Sequence, residues 1–179
     1  GTHMLKLISP IIALGFTLGA CQSQAAPEKL QVVYSQLKSC AELEANANAA
    51  HSELKCPSVG QYEVRVEQAG QEYFGVSLLK SGKKITSDFD AFTAMRPTGQ
   101  AIEWHVQGDQ PVFMIFRIRY EEAGAETEVL TLSLVTDAAI CPLASVATKN
   151  NPKANQKVRD LISGQFAQTR SCPSSVVKF

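Results

Sequence analysis

The sequence predicts an α+β fold: one antiparallel sheet of about five strands with an N-terminal and a C-terminal helix packed on it. Three observations lead there. Two long apolar runs, Pro111 to Tyr120 and Glu128 to Val135, are separated by the polar, Gly-containing stretch Glu121 to Thr127 and read as a central antiparallel hairpin. Short runs of strict alternation separated by Gly turns precede that hairpin. Apolar residues at helical spacing occur near both ends of the chain.

The elements follow in order. From Leu30, apolar residues at Val33, Tyr34, Leu37, Ala41 and Leu43 approach the i, i+3, i+4, i+7 pattern of an amphipathic helix, which good helix formers extend through Ala50 before Pro57 stops it. In Gly60 to Gln68, Tyr62, Val64 and Val66 oppose Glu63, Arg65 and Glu67, a strand with one wet face. Tyr73 to Leu79 completes a hairpin with it, and Ser81-Gly82-Lys83-Lys84 turns the chain again. Ile85 to Ala101 holds Asp88, Phe89, Asp90, Phe92, Met95 and an Arg96-Pro97-Thr98-Gly99 turn signal, and fits a short helix or a strand plus loop. It is the connection expected to carry function, because functional residues concentrate on loops held by a rigid scaffold.

Ile102, Trp104 and Val106 alternate with Glu103, His105 and Gln107 as a further strand that leads into the central hairpin. There Val112, Met114, Phe116, Ile118 and Tyr120 fall on one face and Phe113, Ile115, Arg117 and Arg119 on the other, so the strand starts buried on both faces and ends buried on one. Leu130, Leu132 and Leu134 point one way and Thr131 and Ser133 the other. Asp137 could cap a short element through Ala147, but Cys141-Pro142 interrupts any helix there. Asn151-Pro152 reads as an N-cap followed by proline at the first helical position, with Ala154, Val158, Leu161, Ile162 and Phe166 on one face of a helix ending near Thr169.

Composition narrows the class. The chain of 179 residues carries 17 basic and 17 acidic side chains, which fits one domain and gives no bias toward nucleic acid. Gly1-Thr2-His3 before Met4 reads as a cloning scar. From Met4, one basic residue, Lys6, precedes the apolar run Leu7 to Gly19, which as a helix would span about 20 Å, short of the ~30 Å hydrocarbon core. It reads as a signal-peptide core.

Leu18-Gly19-Ala20-Cys21 follows that run and resembles the lipobox of bacterial lipoprotein precursors. The resemblance covers the first two dozen residues alone. It implies that Cys21 becomes a diacylated N-terminus, and Gln22, in place of Asp, resembles the pattern sent to the outer membrane. The expected location is the outer membrane, facing the periplasm. The alternative is a plain secretory signal cut after Ala25, with Ser23 and Ala25 as the small-x-small site, giving a soluble periplasmic or secreted protein. The division is residues 1–3 scar, 4–20 signal peptide, 21–28 lipidated tether and 29–179 one domain.

Cysteine arithmetic fits lipidation. Of five cysteines, removing Cys21 leaves Cys40, Cys56, Cys141 and Cys172 as an even set. Three pairings are possible; Cys40 with Cys56 and Cys141 with Cys172 is expected, because each pair then brackets one helical segment, whereas the others tie opposite ends of the chain together. An exported compartment permits such bonds.

Candidate sites are sparse. His51 and His105 stand in no metal-ligand spacing, so no metal or other cofactor is expected. Asp88 and Asp90 share one side of an extended segment, with Phe92 close by, and no catalytic constellation surrounds them. Arg117 and Arg119, two residues apart on one strand face, could clamp a carboxylate or phosphate, while Trp104, in phase with Ile102 and Val106, reads as core. The expected function is a non-enzymatic lipoprotein, held to the membrane by its lipid, that binds another macromolecule of the periplasm as an inhibitor, immunity or envelope accessory protein. Asp88, Asp90, Phe92, Arg117 and Arg119 are its candidate binding residues. One alternative is a hydrolase of envelope glycans or peptides using Asp88, Asp90 or Glu103 with His105; another is a carrier of a small apolar ligand between sheet and helices.

Overall fold

The computed structural model describes residues 29–45, 51–70 and 73–179. The cloning scar, the signal peptide, the lipobox with Cys21 and the tether through residue 28 lie outside the described residues, as do residues 46–50 of the expected first helix. The described chain runs as β1 (Gln31–Gln36), a 3-10 turn (Leu37–Ser39), β2 (Ala41–Ala45), β3 (His51–Val59), β4 (Tyr62–Ala69), β5 (Tyr73–Lys80), β6 (Lys83–Thr86), β7 (Thr93–Pro97), β8 (Ala101–Gln107), β9 (Gln110–Glu122), β10 (Ala125–Val135), β11 (Ile140–Ala147), α1 (Ala154–Ser163) and β12 (Val177–Lys178).

The architecture is mainly β, which corrects the expected single five-stranded α+β sheet. A seven-stranded sheet has the order β1-β8-β9-β10-β11-β12 with β7 also on β9, and a five-stranded meander runs β2-β3-β4-β5-β6. The large sheet is covered on both faces. Val64, Val66, Val76 and Leu78 of the meander meet Ile102, Trp104, Met114, Phe116 and Ile118 in one core, where the Phe74 and Phe116 rings stack with centroids 5.0 Å apart. On the opposite face Phe113, Ile115, Leu132, Leu134 and Leu143 meet α1. A helix, a large sheet and a small sheet therefore form three layers.

The expected N-terminal helix is the main correction. Residues 31–36 pair antiparallel with β8, from Gln31 opposite Val106 to Gln36 opposite Ala101. Val32, Val33 and Tyr34 are β-branched or aromatic and favour a pleated surface, and pairing with β8 satisfies a row of backbone groups that a marginal isolated helix would have to satisfy alone. Ser35 is 1 % exposed and its Oγ accepts from Trp104 Nε1 at 2.9 Å, a bond the helix would forgo. The chain then crosses to the small sheet through the 3-10 turn, where Cys40 N–H donates to Leu37 O.

The C-terminal helix forms with the expected inward face: Ala154, Val158, Leu161 and Ile162 are buried on α1 and Phe166 just beyond it. Its start differs. Lys153 is the N-cap, and the Asn151 side chain turns back to donate to Ala147 O at 2.9 Å. It also ends sooner, at Gly164, whose N–H donates to Asp160 O. The undecided stretch from Asp137 is β11, and Pro142 fits there because the β10–β11 register shifts beside it.

The β9–β10 hairpin is longer than its sequence implies. Both strands run into Glu121 to Thr127, and Ala123 and Gly124, at φ 51° and 77°, make the turn. Thr131 and Ser133, on the face opposite the leucines, are fully buried, because the small sheet covers that face. Both expected disulfides are present: Cys40–Cys56 holds the start of β2 to β3, and Cys141–Cys172 ties β11 to the segment after α1.

Candidate functional site

The chemistry of the molecule concentrates where β8 faces α1. On β8 the residues Ile102, Trp104 and Val106 enter the inter-sheet core, so alternation turns Glu103 and His105 to the helix side. There Glu103 is 8 % and His105 6 % exposed. A carboxylate held that far from water needs a cation, and α1 supplies it. Arg159 donates from Nε to Glu103 Oε1 at 2.9 Å and from Nη2 to Oε2 at 2.6 Å, a bidentate pair.

Two more groups complete the cluster. Tyr34, on β1 directly opposite Glu103, donates its hydroxyl to Glu103 Oε2 at 3.2 Å and accepts from Arg159 Nη2 at 3.2 Å. His105 Nε2 lies 2.8 Å from Glu103 Oε1. A carboxylate only accepts, so Nε2 carries the hydrogen of this bond. Burial pushes the Glu103 carboxyl up, but the Arg159 and His105 hydrogen bonds and charges outweigh it and hold the group at about 2. Arg159 is correspondingly raised, chiefly by its hydrogen bonds to Glu103. Burial and the neighbouring Glu103 carboxylate raise the Tyr34 phenol.

A cleft of about 540 Å³ opens beside this cluster, between α1 and strands β1, β8 and β9. Leu30, Val32, Val112, Phe113, Ile162 and Ala167 supply its apolar wall, and His105, Arg159, Lys29 and Arg170 its basic groups. Among the described residues no carboxylate lines it. Ser163 lines the same cleft, but its Oγ donates to Asp160 O, and no hydroxyl or thiol hydrogen-bonds His105 among the described residues. An oriented imidazole is present without a nucleophile bonded to it. Among the described residues no three His, Cys, Asp or Glu side chains group as a metal site.

The residues expected from sequence lie elsewhere or have other partners. Asp88 and Asp90 are exposed on the β6–β7 connection, where Asp88 Oδ1 accepts from Asp90 N–H at 3.1 Å, and they line a separate cleft with Phe74, Phe92 and Met95. The structure brings Glu103 to His105 and brings neither aspartate to that pair. Phe92 is 6 % exposed and packs edge-on against Tyr120 at 5.1 Å, so its ring belongs to the core. Met95 is buried with it, so this connection turns much of its apolar surface inward.

Arg117 and Arg119 share a face, as expected, and grip carboxylates of their own chain. Arg117 pairs with Glu128 at 3.0 Å, and Arg119 with Glu126 at 3.3 Å and Glu128 at 3.4 Å. Arg96 joins the ladder through Glu126. Burial raises Glu128, while hydrogen bonds from Thr148 and Arg117 bring it below the ordinary carboxylate range. His51 is an exposed residue at the start of β3. Trp104 is fully buried, as its phase with Ile102 and Val106 requires.

Tyr34 and Arg159 escaped the sequence reading. The helical pattern puts Tyr34 on the face of a helix that does not form, and Arg159 adjoins Val158 on an otherwise ordinary amphipathic face. The available signal was Glu103 itself, an acid in a strand whose neighbours are core residues and which therefore needs a cation from another element. Comparison with known families, with curated proteins and with solved structures finds no match to this chain.

Proposed function

We propose that the chain is an envelope lipoprotein, anchored through Cys21 and facing the periplasm, that binds an extended segment of another protein along β1. The observation that carries this reading is the state of that edge. β1 pairs with β8 on one side and with no strand on the other among the described residues. Val32, Val33 and Tyr34 are 45, 37 and 48 % exposed. Proteins blunt free edges with charge, proline or bulges. Edge strand β6 carries Lys83 and Lys84, and β12 carries Lys178, paired with Glu122. β1 reads Gln-Val-Val-Tyr-Ser-Gln, with no charge, no proline and an unbroken register. Such an edge suits β-augmentation, in which main-chain bonds supply affinity and alternate side chains supply selectivity.

The four disulfide-forming cysteines support an oxidising compartment. Anchoring is tested by metabolic labelling with a fatty acid: a wild-type chain that takes up no label removes the lipoprotein reading, and label that persists after Cys21→Ala removes the attachment at Cys21. Partner binding is tested by retention from an envelope extract on the immobilised chain beside its Val33→Asp variant. A protein retained in stoichiometric amount by the first and lost by the second, at equal thermal stability, supports the edge. Equal retention by both refutes it.

A further inference from the structure

We infer that the cleft between α1 and strands β1, β8 and β9 is a binding site for a small amphiphile, a single aliphatic chain ending in an anionic head group. It stands independently of the protein-binding edge. The volume of about 540 Å³ falls within the range of small-ligand sites, which are mostly apolar with a few placed polar groups. Leu30, Val112, Phe113 and Ile162 form the apolar part, and a hydrocarbon chain laid against them leaves water. The polar part has one sign. Lys29, Arg159 and Arg170 line the cleft, with no carboxylate among the described lining residues. Glu103 lies behind Arg159 and offsets that one charge through its bidentate pair, whereas Lys29 and Arg170 form no ion pair among the described residues.

Donors for an anion remain after the internal bonds are made. Arg159 uses Nε and Nη2 on Glu103 and Tyr34, and its Nη1 has no partner among the described residues. His105 is fixed through Nε2, and Nδ1 of a neutral imidazole only accepts, so it adds no donor for an anion. Both side chains line the cleft, where Gln107, Ser163 and Gln168 add neutral polar groups. The Glu103 cluster therefore positions Arg159 at the cleft without using up its hydrogen-bonding capacity. An uncharged lipid would leave the cationic rim unmatched, and a bare inorganic anion would leave the apolar wall wet.

The test is isothermal titration of the folded chain with decanoate and with decyl phosphate. The comparison ligands are decanol, decyltrimethylammonium and acetate. Saturable one-to-one binding of decanoate or decyl phosphate, at least tenfold tighter than decanol, is expected, with no saturable binding of acetate or the cationic amphiphile. The tighter of the two anions names the head group. Lys29→Glu with Arg170→Glu, both exposed and outside either core, should weaken binding about tenfold. Val32→Asp, on the exposed part of the wall, should weaken it at least as much. Equal affinity for decanoate and decyltrimethylammonium, indifference to all three substitutions, or no saturable binding of either anion overturns the inference.

Discussion

Glu103→Gln should cost stability at neutral pH and progressively less as the solution is acidified. In the wild type Glu103 is held at about 2 against an ordinary value of 4.5. At 1.36 kcal/mol per pH unit this corresponds to a ceiling of about 3 kcal/mol. The Arg159 side chain is 40 % exposed, so water screens the pair from that side and about 2 kcal/mol is the better expectation. Because the folded value is depressed, the contribution is fully present above the unfolded value and is lost as pH falls from about 4.5 toward 2. The glutamine does not titrate, so the wild-type advantage should be about 2 kcal/mol at pH 7 and should shrink steadily below pH 5. Urea unfolding followed by circular dichroism, with the disulfides intact, measures this at a series of pH values. A gap as wide at pH 3 as at pH 7 would refute the charged, Arg159-bound state of Glu103.

Arg159→Met should cost more, about 3–5 kcal/mol at pH 7, because it leaves a buried carboxylate without its cation, and acidification should narrow that gap also. In the entropic treatment, replacing both cysteines by serine should cost about 3 kcal/mol for Cys40–Cys56 and about 4 kcal/mol for Cys141–Cys172, from closed loops spanning 16 and 31 residues; unchanged melting of both variants would remove the staple role. Gly60 stands at φ +57° and an added Cβ would fall 2.3 Å from Asp109 O, whereas Gly82 stands at φ +78° in open space. Gly60→Ala should therefore cost more than 2 kcal/mol and Gly82→Ala about 1 kcal/mol, and equal denaturation midpoints would contradict the close approach of the two turns. Ser133 is fully buried and its Oγ has no hydrogen-bond partner among the described residues, so Ser133→Ala should leave stability unchanged or raise it by up to about 1 kcal/mol; a clear loss of stability would show a bond the geometry lacks.

The sequence was most informative where one physical signal dominated. The strict alternation of Tyr62, Val64 and Val66 with Glu63, Arg65 and Glu67 identifies β4, and its charged face meets Lys55 and Glu53 across the strand as a wet face does. The heptad-like spacing of Ala154, Val158, Leu161 and Ile162 similarly identifies α1. Pattern failed where two periods coincide. Val33, Tyr34 and Leu37 satisfy a helical stripe, but Val32-Val33-Tyr34 equally suits a strand exposed at a sheet edge, and the outcome was decided by β8, some 69 residues along the chain from the Ser35 hydroxyl it holds through Trp104. Alternation puts Glu103 and His105 on the strand face opposite Ile102, Trp104 and Val106; that a helix covers that face, and that Arg159 arrives there, depends on the crossing of distant elements.

Alternation along β1 makes the two proposed surfaces separable. Val32 stands opposite His105 in the register and Tyr34 opposite Glu103, so both face the α1 side and Val32 lines the cleft, whereas Val33 stands opposite Trp104 and faces the small sheet. A carboxylate at position 32 enters the cleft wall, while one at position 33 reaches only the outer edge and the rim of the inter-sheet core. Were protein partner and amphiphile to use one surface, Val32→Asp and Val33→Asp would impair both bindings alike. With two surfaces, Val33→Asp abolishes partner retention and leaves decanoate affinity within about twofold of wild type, because its charge is turned from the apolar wall by the pleat of the strand.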